Sequence, residues 1–308
     1  MEIKKVALIG AGAVGCYVLW GLSGRSDVEL SVIASGARKE RFERDGFYIN
    51  DRLYRPDVRT PLEANDADLV IVSLKYGALR PALQDIKQVV GDHTVVMSLM
   101  NGVDSEEIIA SEIGEERIVP ALIKIASQRK GNRVFFDPET TIGIVYGEWD
   151  GRSSERTRAI AELFEGTGVH LRETDVILPE IWTKFRLNVG SNQPQAMLGV
   201  GVGAYTDSEH VAAIREGLVR ELEAIAKAKG IDLSKADTSS YAGSKVVKSA
   251  RYSTLQDLDA GRHTEVDMFS GTLVRMGREL GIPTPYNEFT YHMIKALEEK
   301  NDGLFDYD

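Results

Sequence analysis

The chain has 308 residues, a hydrophobic fraction of 43% and a formal net charge of -10 at pH 7. This length favours two domains, because single cores seldom grow beyond about 250–300 residues. The acidic balance argues against a nucleic-acid partner or an anionic membrane surface, and no apolar run is long enough to span a membrane. The single cysteine, Cys16, excludes an intramolecular disulfide, so we expect a reducing, cytoplasmic location.

The N-terminus carries a glycine motif. An apolar strand pattern over residues 5–9 leads into a G-x-G-x-x-G sequence, formed by Gly10, Ala11, Gly12, Ala13, Val14 and Gly15. Gly10 would permit a tight turn, Gly12 would let the backbone approach a pyrophosphate, and Gly15 would let the following helix pack closely on the strand. The helix N-terminus would offer N–H groups to phosphates. The motif therefore predicts a dinucleotide site, with a purely structural turn as the alternative.

Strand and helix patterns alternate through residues 1–174, which is typical of a doubly wound α/β domain. Several strand patterns are continuous apolar runs, as expected for parallel strands buried on both faces. Strands are predicted over 5–9, 28–34, 69–74, 94–100, 118–125 and 169–172. Helices are predicted over 12–22, 79–90, 105–113 and 154–165, and short extended excursions over 47–59 and 133–146.

Residues 175–308 show helical patterns and almost no strands. The predicted fold is thus an N-terminal Rossmann-type doubly wound sheet (residues 1–174) followed by an all-helical C-terminal domain (175–308). A helix over 179–198 would begin at Pro179. Capping-box patterns start at Thr206, opening a helix that ends at Gly230, and at Ser253. Thr264 is predicted to cap a further helix with Glu265 in its first turn, and a last helix would span 287–299.

The end of the second strand bears on the choice between NAD and NADP. An NAD-selective site carries Asp or Glu about 20 residues beyond the glycine motif, where it binds the ribose 2′-OH. No acidic residue occurs from residue 30 to residue 39, and Ser35, Arg38 and Lys39 stand there instead. A hydroxyl and two cations suit a 2′-phosphate, so we predict NADPH/NADP+ as cofactor. The alternative is that the two cations belong to a solvated helix start.

Polar side chains occur at three further places where a ligand could bind. Lys75 and Asn101 follow the third and fourth strands, whose carboxyl ends face the ligand crevice in open α/β sheets. Lys184, Asn188 and Asn192 are spaced by four residues and share a helix face. Amides beside one cation suit a polar anionic ligand, although spacing alone leaves a structural role open for each of these residues.

Together these segments resemble the ketopantoate reductase (2-dehydropantoate 2-reductase) family over almost the whole chain. The resemblance rests on the glycine motif, Leu74-Lys75, Asn101-Gly102, the helix with Lys184, and residues 253–257 leading to 262–267. It implies NADPH-dependent reduction of the small-molecule 2-oxo acid 2-dehydropantoate to pantoate, in pantothenate and coenzyme A biosynthesis, without a metal.

The same resemblance implies individual roles. Lys184 would be the catalytic lysine, able to stabilise the ketone oxygen and to protonate it, and Glu265 would be its paired carboxylate. Lys75 would lie near the cofactor, and Asn101 near both cofactor and substrate. The substrate would be held by Asn101, Asn188, Asn192 and Ser253.

Three departures from the family pattern leave alternatives open. An arginine is common where Ser35 stands, so the 2′-phosphate contact is expected to shift to Arg38. Residues 199–203 contain no amide where a substrate asparagine is usual, and Ser270 replaces another asparagine. The alternatives are a reductase of a different 2-oxo acid on the same scaffold and a non-catalytic NADP-binding regulatory protein. The sequence permits a monomer or a homodimer packed through the helical domain.

Overall fold

The structure is a computed structural model that describes residues 1–239, 247–305 and 307. The chain divides into two compact units, Met1–Ile177 and Leu178–Asp308. This division falls three residues after the boundary predicted at residue 174. No helix among the described residues has the length and apolar character needed to cross a membrane.

Unit 1 contains strands and helices in alternation. Its helices are α1 (Ala13–Leu22), α2 (Gly36–Asp45), α3 (Leu79–Val89), α4 (Ser105–Ile113) and α5 (Glu155–Phe164). Its strands are β1 (Lys5–Ile9), β2 (Glu29–Ile33), β3 (Phe47–Ile49), β4 (Arg52–Tyr54), β5 (Asp57–Arg59), β6 (Ala67–Val72), β7 (Val90–Ser98), β8 (Ala121–Lys124), β9 (Ser127–Lys130), β10 (Arg133–Phe136), β11 (Gly143–Tyr146) and β12 (Leu171–Glu173).

A five-stranded parallel sheet of order β5-β2-β1-β6-β7 forms the centre of unit 1. Side chains of β1 alternate between two cores, because successive residues of a strand point to opposite faces. Val6 and Leu8 pack in one core with residues of α1 and α5, while Ala7 and Ile9 pack in the other with residues of α3 and α4. Helices therefore cover both faces of the sheet, which confirms the predicted Rossmann-type doubly wound fold.

The predicted extended excursions belong to three different sheets. Strands β3 and β4 join β9 and β10 in a four-stranded sheet of order β4-β3-β10-β9, and β11 lies in a three-stranded sheet of order β12-β11-β8. Strand β5 instead forms the edge of the central sheet. The prediction of one strand over 118–125 is wrong: Ile118 only bridges to Val96, and β8 begins after Pro120, which has no N–H for the ladder.

The described part of unit 2 is helical, as predicted. Its helices are α6 (Ile177–Leu187), α7 (Gln193–Leu198), α8 (Ala204–Asp207), α9 (Glu209–Ala228), α10 (Ser253–Asp259), α11 (Ser270–Leu280) and α12 (Pro285–Asn301). A π-helical segment, Asn188–Asn192, joins α6 to α7, so the region predicted as a helix over 179–198 is helical but is interrupted in its middle. Pro179 is the third residue of α6 rather than the first.

Several predicted helix starts are displaced. The short helix α8 takes up Thr206, so the cap of α9 is Ser208, whose hydroxyl accepts a hydrogen bond from the Val211 N–H at 3.4 Å. Ser253 is the first residue of α10, behind Tyr252 as N-cap. The helix after Thr264 begins only at Ser270, so Glu265 lies in a turn.

A buried carboxylate accounts for the turn at Thr264. The Glu298 side chain accepts hydrogen bonds from the N–H of Thr264 at 2.7 Å and from its hydroxyl at 2.6 Å. The Thr264 hydroxyl in turn accepts a bond from the Val266 N–H. These bonds anchor the residues before α11 to α12. The predicted helix ending at Gly230 is correct, and this glycine has φ +74°.

Candidate active site

Four adjacent strands of the central sheet, β2, β1, β6 and β7, end in one row. Ile9 pairs with Ile33 on one side and Val72 on the other, and Val72 pairs with Ser98. Because these strands are parallel, the residues that follow them emerge at one edge of the sheet, where ligands bind in open α/β folds. The structure places there all residues predicted to bind at this edge: Gly10, Ala11, Gly12, Ala13, Val14, Gly15, Ser35, Arg38, Lys75 and Asn101.

Residues 10–15 are here called the glycine turn. Two of its glycines are needed for close backbone contacts. Gly10 has φ +101°, and a Cβ there would lie 2.5 Å from the carbonyl oxygen of Ser73. A Cβ on Gly15 would lie 2.0 Å from the carbonyl oxygen of Gly10. The Ser73 hydroxyl also donates a hydrogen bond to that carbonyl. These contacts hold α1, the glycine turn and the end of β6 together.

Gly12 has more room beside it than Gly10 and Gly15. A Cβ on Gly12 would make ordinary van der Waals contact with Nη1 of Arg129, at 3.6 Å, and the next nearest atom would be the carbonyl oxygen of Ser73, at 4.0 Å. Gly12 is also the N-cap of α1, whose first turn has no side-chain cap and no acidic residue. Room beside uncapped N–H groups suits a phosphate, so the residues present fit a dinucleotide.

The first turn of α2 contains two cations in different surroundings, Arg38 and Lys39. Lys39 contacts the carbonyl oxygen of Val58, Glu43 at 3.0 Å and Glu63 at 3.6 Å. Ser35 and Arg38 are exposed, and α2 has no acidic residue in its first turn. Both cations thus lie at the start of a helix, where Arg38 is exposed to solvent and Lys39 is paired with carboxylates.

A buried polar cluster that the sequence reasoning missed lies between the segments that follow β6 and β7. Asp104 accepts a hydrogen bond from the Tyr76 hydroxyl at 2.7 Å, which joins the loop after β6 to the loop after β7. The Ser105 hydroxyl lies 2.8 Å from that of Ser98 and donates to Glu106 at 2.8 Å. Complete burial raises the pKa of Glu106 to about 7. The run of acidic residues and serine after Asn101-Gly102 was the available signal.

In unit 2, the π-helical segment positions two of the predicted substrate residues. Asn188 and Asn192 are its first and last residues, and Lys184 lies one turn earlier on α6. The side-chain amide of Asn192 donates to the hydroxyl of Ser253 at 3.5 Å. A π segment widens the helix by one residue and often occurs at functional sites. The structure therefore brings Asn192 and Ser253 together across 61 residues of sequence.

Gln195 determines where Ser253 lies. Its side chain is fully buried, its amide nitrogen donates to the carbonyl of Ala250 at 2.9 Å, and its amide oxygen accepts from the N–H of Tyr252 at 2.6 Å. Both bonds hold the backbone that leads directly into Ser253. The sequence analysis assigned no role to this glutamine.

The glycine-rich stretch over 199–203 packs against the same backbone. A Cβ on Gly201 would lie 2.3 Å from the carbonyl oxygen of Lys248, and one on Gly203 would lie 2.6 Å from the Lys248 Cβ. The N–H of Val202 bonds to Ala250 at 3.0 Å, and that of Gly203 to Lys248 at 2.9 Å. These glycines therefore allow two chain segments to approach closely.

The segments carrying Lys184 and Glu265 are in contact. Phe185, next to Lys184, lies 6.2 Å from Phe269 between ring centroids. The backbone carbonyl of Glu265 accepts a hydrogen bond from the N–H of Phe269, so the backbone of Glu265 is fixed next to the contact between the two phenylalanine rings. Ser270, the other departure from the family pattern, is fully buried and donates to Asn287 at 2.9 Å.

The parallel sheet with its glycine turn and the helical region with its lysine define a Rossmann-type oxidoreductase. Family models for "Ketopantoate reductase PanE/ApbA" and its C-terminal part match residues 6–151 and 176–298. The chain belongs to the ketopantoate reductase family.

The relatives include a 2-dehydropantoate 2-reductase of Mesorhizobium japonicum, 27% identical over 95% of this chain and 97% of the relative. A crystal structure of a PanE/ApbA family ketopantoate reductase from Ralstonia eutropha has a TM-score of 0.83 at 27% identity, covering 97% of this chain and 99% of that one. D-mandelate dehydrogenase, solved with NADH and anilino(oxo)acetate, shares the fold with a TM-score of 0.83 at 22% identity and the same coverage.

Proposed function

We propose that this oxidoreductase is an NADPH-dependent 2-dehydropantoate 2-reductase, which makes pantoate for coenzyme A biosynthesis. The observation that carries the proposal is the arrangement on unit 2, where the helix of Lys184 continues into a π segment whose Asn192 contacts Ser253. The likeness to 2-dehydropantoate 2-reductases along nearly the full chain supports the same substrate.

The substrate residues suit a 2-oxo acid. In the reduction, negative charge develops on the ketone oxygen, and Lys184 stabilises this charge and donates the proton that completes the alcohol. Glu265 keeps the lysine protonated as its paired carboxylate. Asn101, Asn188, Asn192 and Ser253 bind the carboxylate and hydroxyl groups through neutral donors. Neutral donors orient the substrate without competing with the lysine for the developing charge.

The cofactor residues lie on unit 1. When bound, a reduced nicotinamide supplies the hydride. The glycine turn binds the pyrophosphate through backbone N–H groups, and Lys75 and Asn101 bind nearer the nicotinamide. Arg38 and the Ser35 hydroxyl bind the 2′-phosphate, which favours NADPH over NADH although the D-mandelate dehydrogenase was solved with NADH.

A different 2-oxo acid is the second candidate substrate. Residues 199–203 contain no side-chain amide, although the family commonly has a substrate asparagine in this stretch. Gly201 and Gly203 approach Lys248 so closely that a larger side chain would not fit there without a shift. The shared fold with D-mandelate dehydrogenase, which acts on another 2-hydroxy acid, is compatible with such a change.

A homodimer through the helical domain is part of the proposal. Tyr286, Phe289 and Met293 recur at helical spacing on α12 and are 42%, 65% and 41% exposed. An apolar stripe of this kind is typical of a surface that a second copy covers. We place the enzyme in the cytoplasm because its single cysteine is a buried thiol.

The test is the loss of NADPH absorbance with ketopantoate, beside NADH and a panel of other 2-oxo acids. We expect fast turnover that is selective for NADPH and for ketopantoate. Turnover only on another 2-oxo acid would support the second candidate. NADPH binding without turnover on any 2-oxo acid would contradict both and favour a non-catalytic role.

A further inference from the structure

We propose that the guanidinium of Arg129 binds the pyrophosphate of a dinucleotide held at the glycine turn. The proposal rests on the proposed function and deepens it, since it adds a residue to the same cofactor site. Arg129 lies on β9, far from the glycine turn in sequence, and neither the glycine motif nor the family resemblance pointed to it.

The position of Arg129 follows from the packing of a hairpin on α1. Strand β9 pairs antiparallel with β10 and contacts α1. Nη1 of Arg129 is the nearest atom to the place that a Cβ of Gly12 would occupy, at 3.6 Å. Nε of Arg129 donates to the carbonyl of Gly131 at 3.0 Å, which anchors the side chain to its own hairpin. The Nη1 end therefore lies beside Gly12, the glycine of the turn with room for a Cβ.

The electrostatics of α1 agree with this placement. Burial raises the pKa of the Cys16 thiol to about 12, and the positive charge of Arg129 acts in the opposite direction. Cys16 lies within the first turns of α1, so the guanidinium is close enough to act on the N-terminal end of this helix. No acidic residue in the first turn of α1 competes for it.

The chemistry of the arrangement favours a pyrophosphate. The N–H groups at the start of α1 are neutral donors, whereas the two phosphates of the dinucleotide carry full negative charges. The protein has a net charge of -10, so a nearby cation is needed to offset these charges. A guanidinium provides two parallel donors that match phosphate oxygens. Arg38 lies at the neighbouring strand end and is assigned the 2′-phosphate, so the two arginines divide the charges of NADPH between them.

This division can be tested with two ligands and two arginine variants. ADP-ribose has the pyrophosphate but no 2′-phosphate and no nicotinamide, whereas NADPH has all three. We expect Arg129→Gln to raise the Kd for both ligands about tenfold, the loss typical of one charged hydrogen bond. Arg38→Gln should raise the Kd for NADPH and leave that for ADP-ribose unchanged. Isothermal titration calorimetry on the full chain measures both.

The matched control is Lys130→Gln, which removes the same charge from the next residue of β9, on the opposite face of the strand. It should bind both ligands like the wild type, and Arg129→Lys should recover part of the affinity. An equal loss in Lys130→Gln and Arg129→Gln, or wild-type affinity of Arg129→Gln for ADP-ribose, would overturn the role of Arg129 alone. Failure of the wild type to bind NADPH would instead overturn the proposed function.

Discussion

The glycine turn of unit 1 and the amide-bearing region of unit 2 are stabilised by different kinds of contact. On unit 1, the contacts at the glycine turn are mostly backbone contacts, and two glycines are required because a Cβ would meet a carbonyl oxygen. On unit 2, the positioning contacts are made by side chains. Asn192 donates a hydrogen bond to Ser253, and Gln195 holds the backbone before Ser253. A backbone site tolerates changes of side chain but not of geometry, whereas a side-chain site can lose its function through one amide.

The largest effect should come from Lys184. Lys184→Ala removes the group that we expect to stabilise and protonate the ketone oxygen, so kcat should fall about 10³-fold while the Kd for NADPH stays unchanged. Steady-state kinetics and calorimetry measure the two quantities. Arg186→Gln, which removes an ion pair with Glu223 from the same helix, serves as the control. Turnover in Lys184→Ala within tenfold of the wild type would contradict the catalytic assignment.

Two alanine variants of the glycine turn should separate folding from binding. A Cβ on Gly15 meets the Gly10 carbonyl, so Gly15→Ala should destabilise the protein by about 3 kcal/mol, the cost of overpacking. Gly12→Ala has room for its methyl group and should keep the melting temperature, but it should bind NADPH more weakly. Thermal unfolding and NADPH titration distinguish the two. A stable Gly15→Ala would show that α1 can shift away from the turn.

Glu106 should make stability depend on pH. Its pKa is about 7 in the folded protein against 4.5 for the ordinary group, because burial disfavours the charged form. The folded state therefore binds the extra proton between these values, and stability falls as pH rises from about 4.5 to about 7 and then levels off. Glu106→Gln keeps the acceptor for Ser105 and should lose this contribution, roughly 3 kcal/mol between pH 4 and pH 8.

Urea unfolding at several pH values measures the difference between the wild type and Glu106→Gln. Glu107→Gln, at the exposed neighbouring position, is the control. Parallel stability curves for the wild type and Glu106→Gln would mean that Glu106 stays ionised in the folded protein.

The smallest effect should distinguish two buried glutamines of α7. Gln195→Leu leaves the Ala250 carbonyl and the Tyr252 N–H unpaired, so it should cost about 2 kcal/mol and raise KM for the 2-oxo acid. Gln193→Leu should cost less, because the Gln193 side chain makes a single bond, from its amide nitrogen to the Val189 carbonyl at 3.3 Å, and its oxygen has no hydrogen-bond partner among the described residues. Equal KM values for the two variants would argue against a positioning role for Gln195.

The sequence predicted the inner strands of unit 1 well because each is an apolar run buried on both faces. It did not predict β5 as an edge strand, because Asp57-Val58-Arg59 is too short and too polar for its pattern to show pairing with β2. Helix starts were displaced where a tertiary contact overrode the local cap, as at Thr264, which is held by Glu298.

The candidate site shows the same division. Residues tied to a strand end or a helix spacing, such as Lys75 and Asn192, could be chosen from the sequence. Arg129 and Gln195 could not, because their importance depends on which distant backbone they contact. Local patterns carry no information about such contacts.

The π-helical segment has a consequence for insertions and deletions in relatives of this chain. Removing one residue from Asn188–Asn192 would let α6 and α7 join as one continuous α-helix, and the asparagines at the two ends of the segment could no longer both keep their present positions. Relatives that share the proposed function should therefore keep Asn188, Asn192 and the length of this segment, so alignment gaps here would mark a lineage that has lost or exchanged its substrate.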